Sequence, residues 1–360
     1  MVSKPAADVR LAFPDLGEEE LAEIAGVLAT GQLTMGPKVA EFEELLAAAA
    51  GTEHAVAVSS GTAALHVAVL ALGMGPGDEV LVPAYTFPAT ANVVALAGAT
   101  PVLVDVDPVT MNVDPADAAG RVTPRTKAIL AVHLFGRPAR LEELPELPVL
   151  EDAAGALGAS HRGKACGSLG LLACFSFHPR KIVTTGEGGA VTTDDASLAE
   201  RVRSLRHHGW SPSGAYDDMP APAFNYRISD VLCALGIPQM RRLEELLAAY
   251  ERVAAGYAER LAHLDLVLPS ADPGDRHGLQ AFVVQVDRRD EVMAALRAQG
   301  IQCQIGTYAL HRLGAYRGQG PFPGADAAFE RALALPFHGR LTEQELDRVA
   351  EALDKLVSHH

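Results

Sequence analysis

Short apolar runs alternate with helix-type segments over the first two-thirds of the chain, and this alternation predicts strands and helices in turn. Buried strands are predicted at HAVAVSS, EVLVP, TPVLVDV, KAILAVH, LPVLED, LLACFSF and GGAVTTDD. Helices are predicted at GTAALHVAVLALG, which ends at Gly73, and at TATANVVALAG. Apolar strands that alternate with helices are typical of a mostly parallel sheet covered on both faces. The pattern therefore predicts an α/β fold.

A change of pattern near Ile228 predicts a boundary between a large domain and a smaller one. A long helix begins there, and Pro238 is expected to kink or break it. Beyond it, the pattern predicts a strand at QAFVVQVD and helices at RDEVMAALRAQG and TEQELDRVAEALDKL. We therefore expect a large domain over residues 1–240 and a smaller α+β domain over residues 241–360.

Charge and composition exclude several classes of function. The net charge of −15 argues against nucleic acids and anionic membranes as partners. The N-terminal stretch lacks the apolar core of a signal peptide, and no apolar run reaches the length of a membrane span. Four cysteines occur without a Cys-x-x-Cys pair, which favours the reducing cytoplasm. The chain also has no His and Cys residues at the spacing of a metal site, so no metal is expected.

Polar residues stand at the ends of the predicted strands, where open parallel sheets bind their ligands. In SSGTAAL, Ser60, Gly61 and Thr62 join a strand to the start of a helix. The free N–H groups and the positive end of a helix suit a phosphate, Gly61 permits close approach, and Thr62 adds a hydroxyl. An ordinary helix N-cap uses the same residue types, so this stretch alone supports both interpretations.

Two further strand ends carry residues that suit a heteroaromatic cofactor. Asp152 follows an apolar strand, and a carboxylate there could keep the nitrogen of a cofactor ring protonated. The alternative is that Asp152 only caps a helix. Tyr85 and Phe87 follow another strand, where an aromatic ring could stack on a planar ligand or simply pack in the core.

One lysine, Lys181, stands in FSFHPRKIVTTGEGG, five residues after Ser176 and just before a glycine cluster. A buried amine is unfavourable unless its pKa falls or it is covalently engaged, and an imine to an aldehyde cofactor would engage it. The alternative is a solvated surface lysine. The glycines lack the G-x-G-x-x-G spacing of a dinucleotide site. A phosphate site, an aromatic ring, a carboxylate and a lysine together are the parts that pyridoxal phosphate needs.

Five stretches, in this order, resemble motifs of the DegT/DnrJ/EryC1/StrS family: SSGTAAL, PAYTFPATAN, EDAAGALGA, FSFHPRKIVTTGEGGAVTTDD and FNYRISDVLCALGIPQMRRLEE. The likeness runs from GQLTMGPKVAEFE to the end of the chain. Members of this family are fold-type I pyridoxal-phosphate enzymes, mostly aminotransferases of nucleotide-linked keto-sugars. The resemblance implies a large domain with a mostly parallel sheet of the seven-stranded type, and a homodimer with its sites at the subunit interface.

The resemblance also implies a role for each matching residue. Lys181 would form the Schiff base with the cofactor and move the proton, and Asp152 would pair with the pyridine nitrogen. Phe87, rather than Tyr85, would stack on the ring. The phosphate would be held by Ser60, Gly61, Thr62, Ser176 and, from the neighbouring subunit, Asn225.

Substrate contacts are implied less directly by the same resemblance. The candidates are His178, Arg227, Tyr308 and His311, although Tyr308 and His311 could equally be packing residues of the smaller domain. The chain departs from the family where members often carry Gln or His three residues after the aspartate, because Gly155 stands there. Leu157 likewise replaces a frequent His. A side-chain hydrogen bond to the cofactor is therefore expected to be missing.

The reaction implied is a ping-pong transamination, in which glutamate gives its amino group to the cofactor and a ketone acceptor then receives it. Two alternatives from the same family keep the cofactor: a dehydratase or aromatizing synthase, and an aminotransferase acting on a non-sugar ketone or cyclitol. A third alternative, a non-catalytic regulator, is disfavoured by the presence of both Lys181 and Asp152.

Overall fold

The chain folds into two main sheets and two short two-stranded ones, with helices packed around them. The computed structural model describes residues 8–211 and 218–357. The strands are β1 (His54–Val58), β2 (Glu79–Pro83), β3 (Tyr85–Thr86), β4 (Thr100–Val104), β5 (Thr126–Val132), β6 (Val149–Asp152), β7 (Ser160–His161), β8 (Lys164–Ala165), β9 (Leu172–Ser176), β10 (Gly189–Thr193), β11 (Val283–Gln285), β12 (Gln304–Ile305), β13 (Tyr308–Ala309) and β14 (Ala332–Ala334). The helices are α1 (Glu18–Thr30), α2 (Pro37–Ala50), α3 (Gly61–Ala71), α4 (Ala89–Leu96), α5 (Pro115–Arg121), α6 (Ala196–Arg206), α7 (Asp230–Arg241), α8 (Leu243–Leu261), α9 (Arg289–Ala298), α10 (Pro323–Arg331) and α11 (Glu343–Val357).

The larger sheet has seven strands in the order β1-β10-β9-β6-β5-β2-β4. Strands β9, β6, β5, β2 and β4 run parallel, whereas β10 runs antiparallel to both of its neighbours. The α/β class and the mostly parallel seven-stranded sheet are confirmed. The exception at β10 follows from its connection, because no helix separates β9 from β10 and a parallel neighbour needs a longer crossover.

Parallel pairing brings the ends of neighbouring strands to one edge of this sheet. Asp152 at the end of β6 pairs in register with Val132 at the end of β5 and with Cys174 in β9. Ser176 is the last residue of β9, so its side chain belongs to the same edge. Helix α3 begins at this edge as well, where the hydroxyl of Ser60 accepts a hydrogen bond from the N–H of Ala63 at 3.0 Å.

The smaller sheet, in the order β11-β14-β12, is antiparallel and lies in the C-terminal part of the chain. It is reached through α7 and α8, which are separate helices: α7 contains Pro238 and ends at Arg241, so the expected break near the proline is confirmed. A second connection joins the two parts, because β13 pairs with β3 of the larger part.

One hydrophobic core runs through both parts of the molecule. Phe42 of α2, Phe177, Tyr257 of α8 and Leu346 of α11 are fully buried in a single cluster. The N-terminal segment also contacts the C-terminal part, since Val9 pairs with Ile301. The domain boundary at residue 240 therefore stays a prediction.

Candidate active site

A cavity of about 490 Å³ opens at the carboxyl edge of the larger sheet, between that sheet and the smaller one. Nine of the residues singled out in the sequence line it: Ser60, Gly61, Thr62, Phe87, Asp152, Ser176, His178, Lys181 and Tyr308. Its volume is in the range of pockets that hold a cofactor together with part of a substrate.

Three of the candidate residues lie outside the lining of this cavity. Asn225 is exposed and pairs through its backbone with His207, and Arg227 contacts the ring of His207 at 2.6 Å. His311 contacts Asp326 at 3.0 Å and lies close to the ring of Phe322, which favours its packing role over a substrate contact. Within one chain, the cavity is thus built without them.

Lys181 is held by a turn that directly follows strand β9. Its N–H donates to the carbonyl of His178 at 2.8 Å, and the buried ring of Phe177 anchors the turn in the core. The pKa of Lys181 is lowered to about 8, mainly by burial and also by the nearby Arg180, while the carboxylate of Asp152 opposes the change. About a tenth of the amine is therefore neutral at pH 7 and able to attack an aldehyde.

Asp152 is buried at the base of the cavity and is held by two donors. The hydroxyl of Thr90 donates to Oδ2 at 2.9 Å, and the N–H of Ala154 donates to Oδ1 at 3.2 Å. Burial raises the pKa of Asp152, and the bonds from Thr90 and Ala154 and the charge of Lys181 oppose this rise. A cationic ring nitrogen in the cavity would stabilise the carboxylate further, because a buried negative charge needs a positive partner.

A buried hydrogen-bond network supports the strand end that carries Asp152. His133 and Glu151 contact each other at 2.8 Å and are essentially inaccessible to solvent. The other ring nitrogen of His133 accepts from the N–H of Ala139 at 2.9 Å, and Glu151 accepts from the N–H groups of Gly167 and Leu169 at 2.8 Å each. These bonds fix the backbone at the junction of β5 and β6.

The start of α3 forms a cradle that only a glycine permits. A Cβ added to Gly61 would lie 2.7 Å from Cβ and 3.1 Å from Oγ of Ser176. A Cβ on Gly189 would lie 2.4 Å from the backbone of Ser60, so β10 also approaches closely. The first N–H groups of a helix, with the hydroxyls of Thr62 and Ser176 beside them, fit a phosphate. The N-cap role of Ser60 is present, and phosphate binding at the same stretch stays a prediction.

Aromatic rings stand at the mouth of the cavity. The ring of Phe87 is 60% exposed and lies edge-to-face with Tyr308, at 6.4 Å between centroids. Tyr85, in contrast, is buried, and its hydroxyl accepts from the N–H of Thr307 at 3.1 Å. Of the two aromatic candidates, only Phe87 has a ring face open to a ligand.

The wall opposite the larger sheet contains residues that sequence reasoning did not single out. Nη1 of Arg180 donates to Oε1 of Gln304 at 2.9 Å, and Nε2 of Gln280 donates to the carbonyl of Arg180 at 3.3 Å. A Cβ added to Gly155 would lie 3.2 to 3.3 Å from side-chain atoms of Gln280, so Gln280 fills the space beside this glycine. The adjacency of Arg180 to Lys181 was the one available signal; nothing in the sequence marks Gln280 or Gln304.

Metal-binding clusters and membrane-spanning helices are both absent from the described part of the chain. Among residues 8–211 and 218–357, no group of three or more His, Cys, Asp or Glu side chains is placed to hold a metal ion. Within the same residues, no helix combines the length and the apolar character that crossing a bilayer requires.

Comparison with known proteins adds a family and close structural relatives. A family model described as the DegT/DnrJ/EryC1/StrS aminotransferase family matches residues 14–354. The chain is 42% identical over 339 residues to GDP-perosamine synthase of Caulobacter vibrioides, covering 90% of this chain and 91% of that protein.

Solved structures share the whole fold. S. venezuelae DesV, in complex with a ketimine intermediate, matches with a TM-score of 0.89 and 36% identity over 95% of each chain. The putative sugar aminotransferase Spr1654 of Streptococcus pneumoniae, in its PLP form, matches with a TM-score of 0.93 and 28% identity, over 98% of this chain and 99% of that one.

Proposed function

Because the chain belongs to the DegT/DnrJ/EryC1/StrS aminotransferase family, we propose that it uses pyridoxal phosphate to transfer an amino group onto a nucleotide-linked keto-sugar. The family that the five motifs predicted is confirmed, and so is the aminotransferase class. The observation that carries the proposal is the meeting of Lys181, Asp152 and the Gly61 cradle in one cavity. The cradle suits a phosphate, and the buried Asp152 suits a ring cation.

The cofactor, when bound, supplies an aldehyde that accepts the amino group and a ring that withdraws electrons from the substrate carbon. Each group of the cofactor has a residue of this chain to hold it. Gly61, Thr62 and Ser176 would bind the phosphate, Asp152 would hold the proton on the ring nitrogen, and Phe87 would cover one face of the ring. These assignments rest on the positions of the residues around the cavity.

In this proposal, Lys181 is the residue that holds the cofactor covalently and transfers the proton. Its Nζ would hold the aldehyde of the cofactor before the donor arrives. Once released by the donor, the same Nζ would take the proton from the donor carbon and deliver it to the cofactor carbon. A pKa of about 8 suits both tasks, because the amine can take and give a proton near neutral pH.

Asp152 acts on the electronic state of the ring and not on the substrate. The hydrogen bond from Thr90 orients one carboxylate oxygen, and the hydroxyl of Thr86 contacts that of Thr90 at 3.2 Å. The oriented carboxylate would keep the ring nitrogen of the cofactor protonated, and so would stabilise the negative charge that forms when the substrate proton leaves. Thr86 and Thr90 are therefore positioning residues.

The name of one relative supports the proposed acceptor, and the family resemblance supports the proposed donor. The 42% identical protein is named a GDP-perosamine synthase, which supports a nucleotide-linked sugar as the acceptor. Glutamate is proposed as the donor on the basis of the family resemblance. The open mouth of the cavity beside Phe87 and Tyr308 leaves access for an acceptor of this size.

A homodimer is part of the proposal. Asn225 and the ring of Phe224, which is 61% exposed, lie on the surface instead of in the cavity. That position suits residues that meet a second copy of the chain, where Asn225 would complete the phosphate site of the partner. We also propose a cytoplasmic location, which the four free and buried cysteines support.

Conversion of the cofactor by glutamate tests the function. The purified protein, loaded with pyridoxal phosphate and given L-glutamate, should produce pyridoxamine phosphate and 2-oxoglutarate in equal amounts. The pyridoxamine form should then convert a GDP- or TDP-linked keto-sugar into an amino sugar, detected by mass spectrometry. If neither glutamate nor any other common amino acid produces pyridoxamine phosphate, the proposal is contradicted.

A further inference from the structure

The guanidinium of Arg180 lines the cavity next to the reactive lysine. The side chain is partly buried, and its one hydrogen bond among the described residues joins Nη1 to Oε1 of Gln304 at 2.9 Å. A guanidinium has five N–H donors in a planar fork, so most of its donors are not used by Gln304. Burial lowers the pKa of Arg180, and no neighbouring charge opposes the change.

Two other arginines with buried or partly buried side chains have carboxylate partners in the same chain. Arg206 pairs with Glu43, and Arg137 pairs with Asp272 at 2.5 and 2.7 Å respectively. Arg180 has no carboxylate at ion-pair distance within the part of the chain that the structure describes, although Glu187 also lines the cavity. A partly buried cation without a partner is unfavourable, and a ligand anion in the cavity would supply one.

We propose that Arg180, with Gln304 holding its guanidinium in place, binds a carboxylate of the amino donor. This inference rests on the proposed function and names the part of the donor that the cavity recognises. A planar guanidinium fork matches a carboxylate through two parallel hydrogen bonds, which an ammonium group cannot provide. Gln304 uses one edge of the fork and leaves the others for the ligand.

The position of Arg180 favours the donor over the acceptor. Arg180 immediately precedes Lys181 on one turn, and the backbone carbonyl of Arg180 is held by Nε2 of Gln280 at 3.3 Å. An anion bound here lies beside the amine that must exchange with the amino group of the donor. The diphosphate of a sugar nucleotide is several bonds from its reacting ketone, so it belongs farther from Lys181.

The kinetic test uses Arg180→Gln, Arg180→Lys and, as a matched control, the exposed Arg201→Gln. In Arg180→Gln, the glutamate concentration that half-saturates the first half-reaction should rise about 10- to 100-fold, because charged hydrogen bonds are lost. The maximal rate of that step should fall much less. The half-saturating glutamate concentration of Arg180→Lys should lie between those of the wild type and Arg180→Gln, because lysine keeps the charge but not the planar fork. That of Arg201→Gln should match the wild type.

A second readout does not depend on turnover. Glutarate, a dicarboxylate without an amino group, should perturb the absorbance of the loaded wild-type protein in a saturable manner. Arg180→Gln should need at least about 10-fold more glutarate for the same change. Gln304→Ala should weaken glutarate binding by a smaller factor, because the guanidinium of Arg180 remains but is less restrained.

The outcomes separate the subsite from the proposed function. If the half-saturating concentrations of glutarate and glutamate are unchanged in Arg180→Gln, the proposed subsite is wrong. It is also wrong if only the half-saturating concentration of the sugar nucleotide rises, because that result would indicate a diphosphate site. If the wild type reacts with no amino acid, the proposed function fails. The glutarate titration still decides the subsite in that case.

Discussion

The first wall of the cavity is formed by strand ends of the larger sheet and by the start of α3. The second wall, opposite it, is formed by residues that follow no regular sequence pattern. Asp152 and Ser176 end β6 and β9, and Gly61 begins α3. On the other side, Gln280 follows Leu279, which has a left-handed backbone with φ of 47°, and Gln304 lies in a two-residue strand. A parallel sheet aligns the first set by its own geometry.

The second set depends on tertiary contacts between distant segments. The N–H of Gln280 donates to the carbonyl of Phe135 at 3.1 Å, and Phe135 also has a left-handed backbone, with φ of 57°. Left-handed conformations at bulky residues are unfavourable and persist only when the surroundings impose them. We therefore expect the rate of amino transfer to depend mainly on the first wall. The second wall is expected to adjust binding affinity by smaller factors.

The largest effect is expected on the first wall, at Lys181. Lys181→Ala should lower the rate of amino transfer by at least about 10⁴-fold, because both the bond to the cofactor and the proton carrier are lost. The exposed Lys164→Ala is the matched control and should retain the wild-type rate. Steady-state assays of glutamate-dependent turnover measure both. A Lys181→Ala variant that keeps its rate of amino transfer would contradict the catalytic role of the first wall.

Removal of the carboxylate of Asp152 should have the next largest effect. Asp152→Asn keeps the shape but no longer balances a charged ring nitrogen, so the rate should fall about 10²- to 10³-fold. Thr90→Val leaves the carboxylate in place and removes only its hydroxyl donor, so a clearly smaller loss is expected. Single-turnover kinetics with glutamate compare the two variants. Equal losses would mean that the orientation of the carboxylate, and not its charge, is what matters.

The Gly61 cradle should be sensitive to a single methyl group. Gly61→Ala places a Cβ 2.7 Å from Cβ of Ser176, and the strain should weaken cofactor binding about 10- to 100-fold. Gly120→Ala, at a glycine of α5 whose added Cβ meets nothing within 4 Å, controls for substitution of a glycine outside the cavity. Titration of the cofactor-free protein with pyridoxal phosphate measures the affinity. Wild-type affinity in Gly61→Ala would place the phosphate elsewhere.

A smaller effect is expected on the second wall, at Gln280. Gln280→Ala removes a hydrogen bond to the Arg180 carbonyl and should weaken cofactor binding about 3- to 10-fold. Gly155→Gln alone should also weaken binding, because its side chain would collide with Gln280. The double variant should recover part of the loss, since the two side chains compete for one space. Additive losses in this cycle would show that the two positions are independent.

The smallest effect is a shift in pH dependence. Only the neutral amine attacks the aldehyde, so the rate of bond formation in the cofactor-free protein should rise with pH around a midpoint of about 8. Asp152→Asn removes a charge that holds the pKa of Lys181 up, so its midpoint should move to lower pH. Stopped-flow absorbance at a series of pH values measures the midpoint. A shift to higher pH would contradict the assigned coupling.

The sequence predicted more of the first wall than of the second for a physical reason. Apolar strands can be recognised from local pattern, and their carboxyl ends share an edge, so Asp152, Ser176 and Lys181 could be grouped from the order of residues alone. Gln280 and Gln304 carry no local pattern, because they reach the cavity only through the packing of the smaller sheet. The reversed direction of β10 was not predicted either, although the lack of a helix between β9 and β10 was a signal for it.

Reduction of the loaded wild-type protein with borohydride, followed by mass mapping of its peptides, shows whether Lys181 holds the cofactor. One stable pyridoxyl adduct is expected, on the peptide that contains Lys181. No adduct, or an adduct at another lysine that persists in Lys181→Ala, would contradict the role of Lys181.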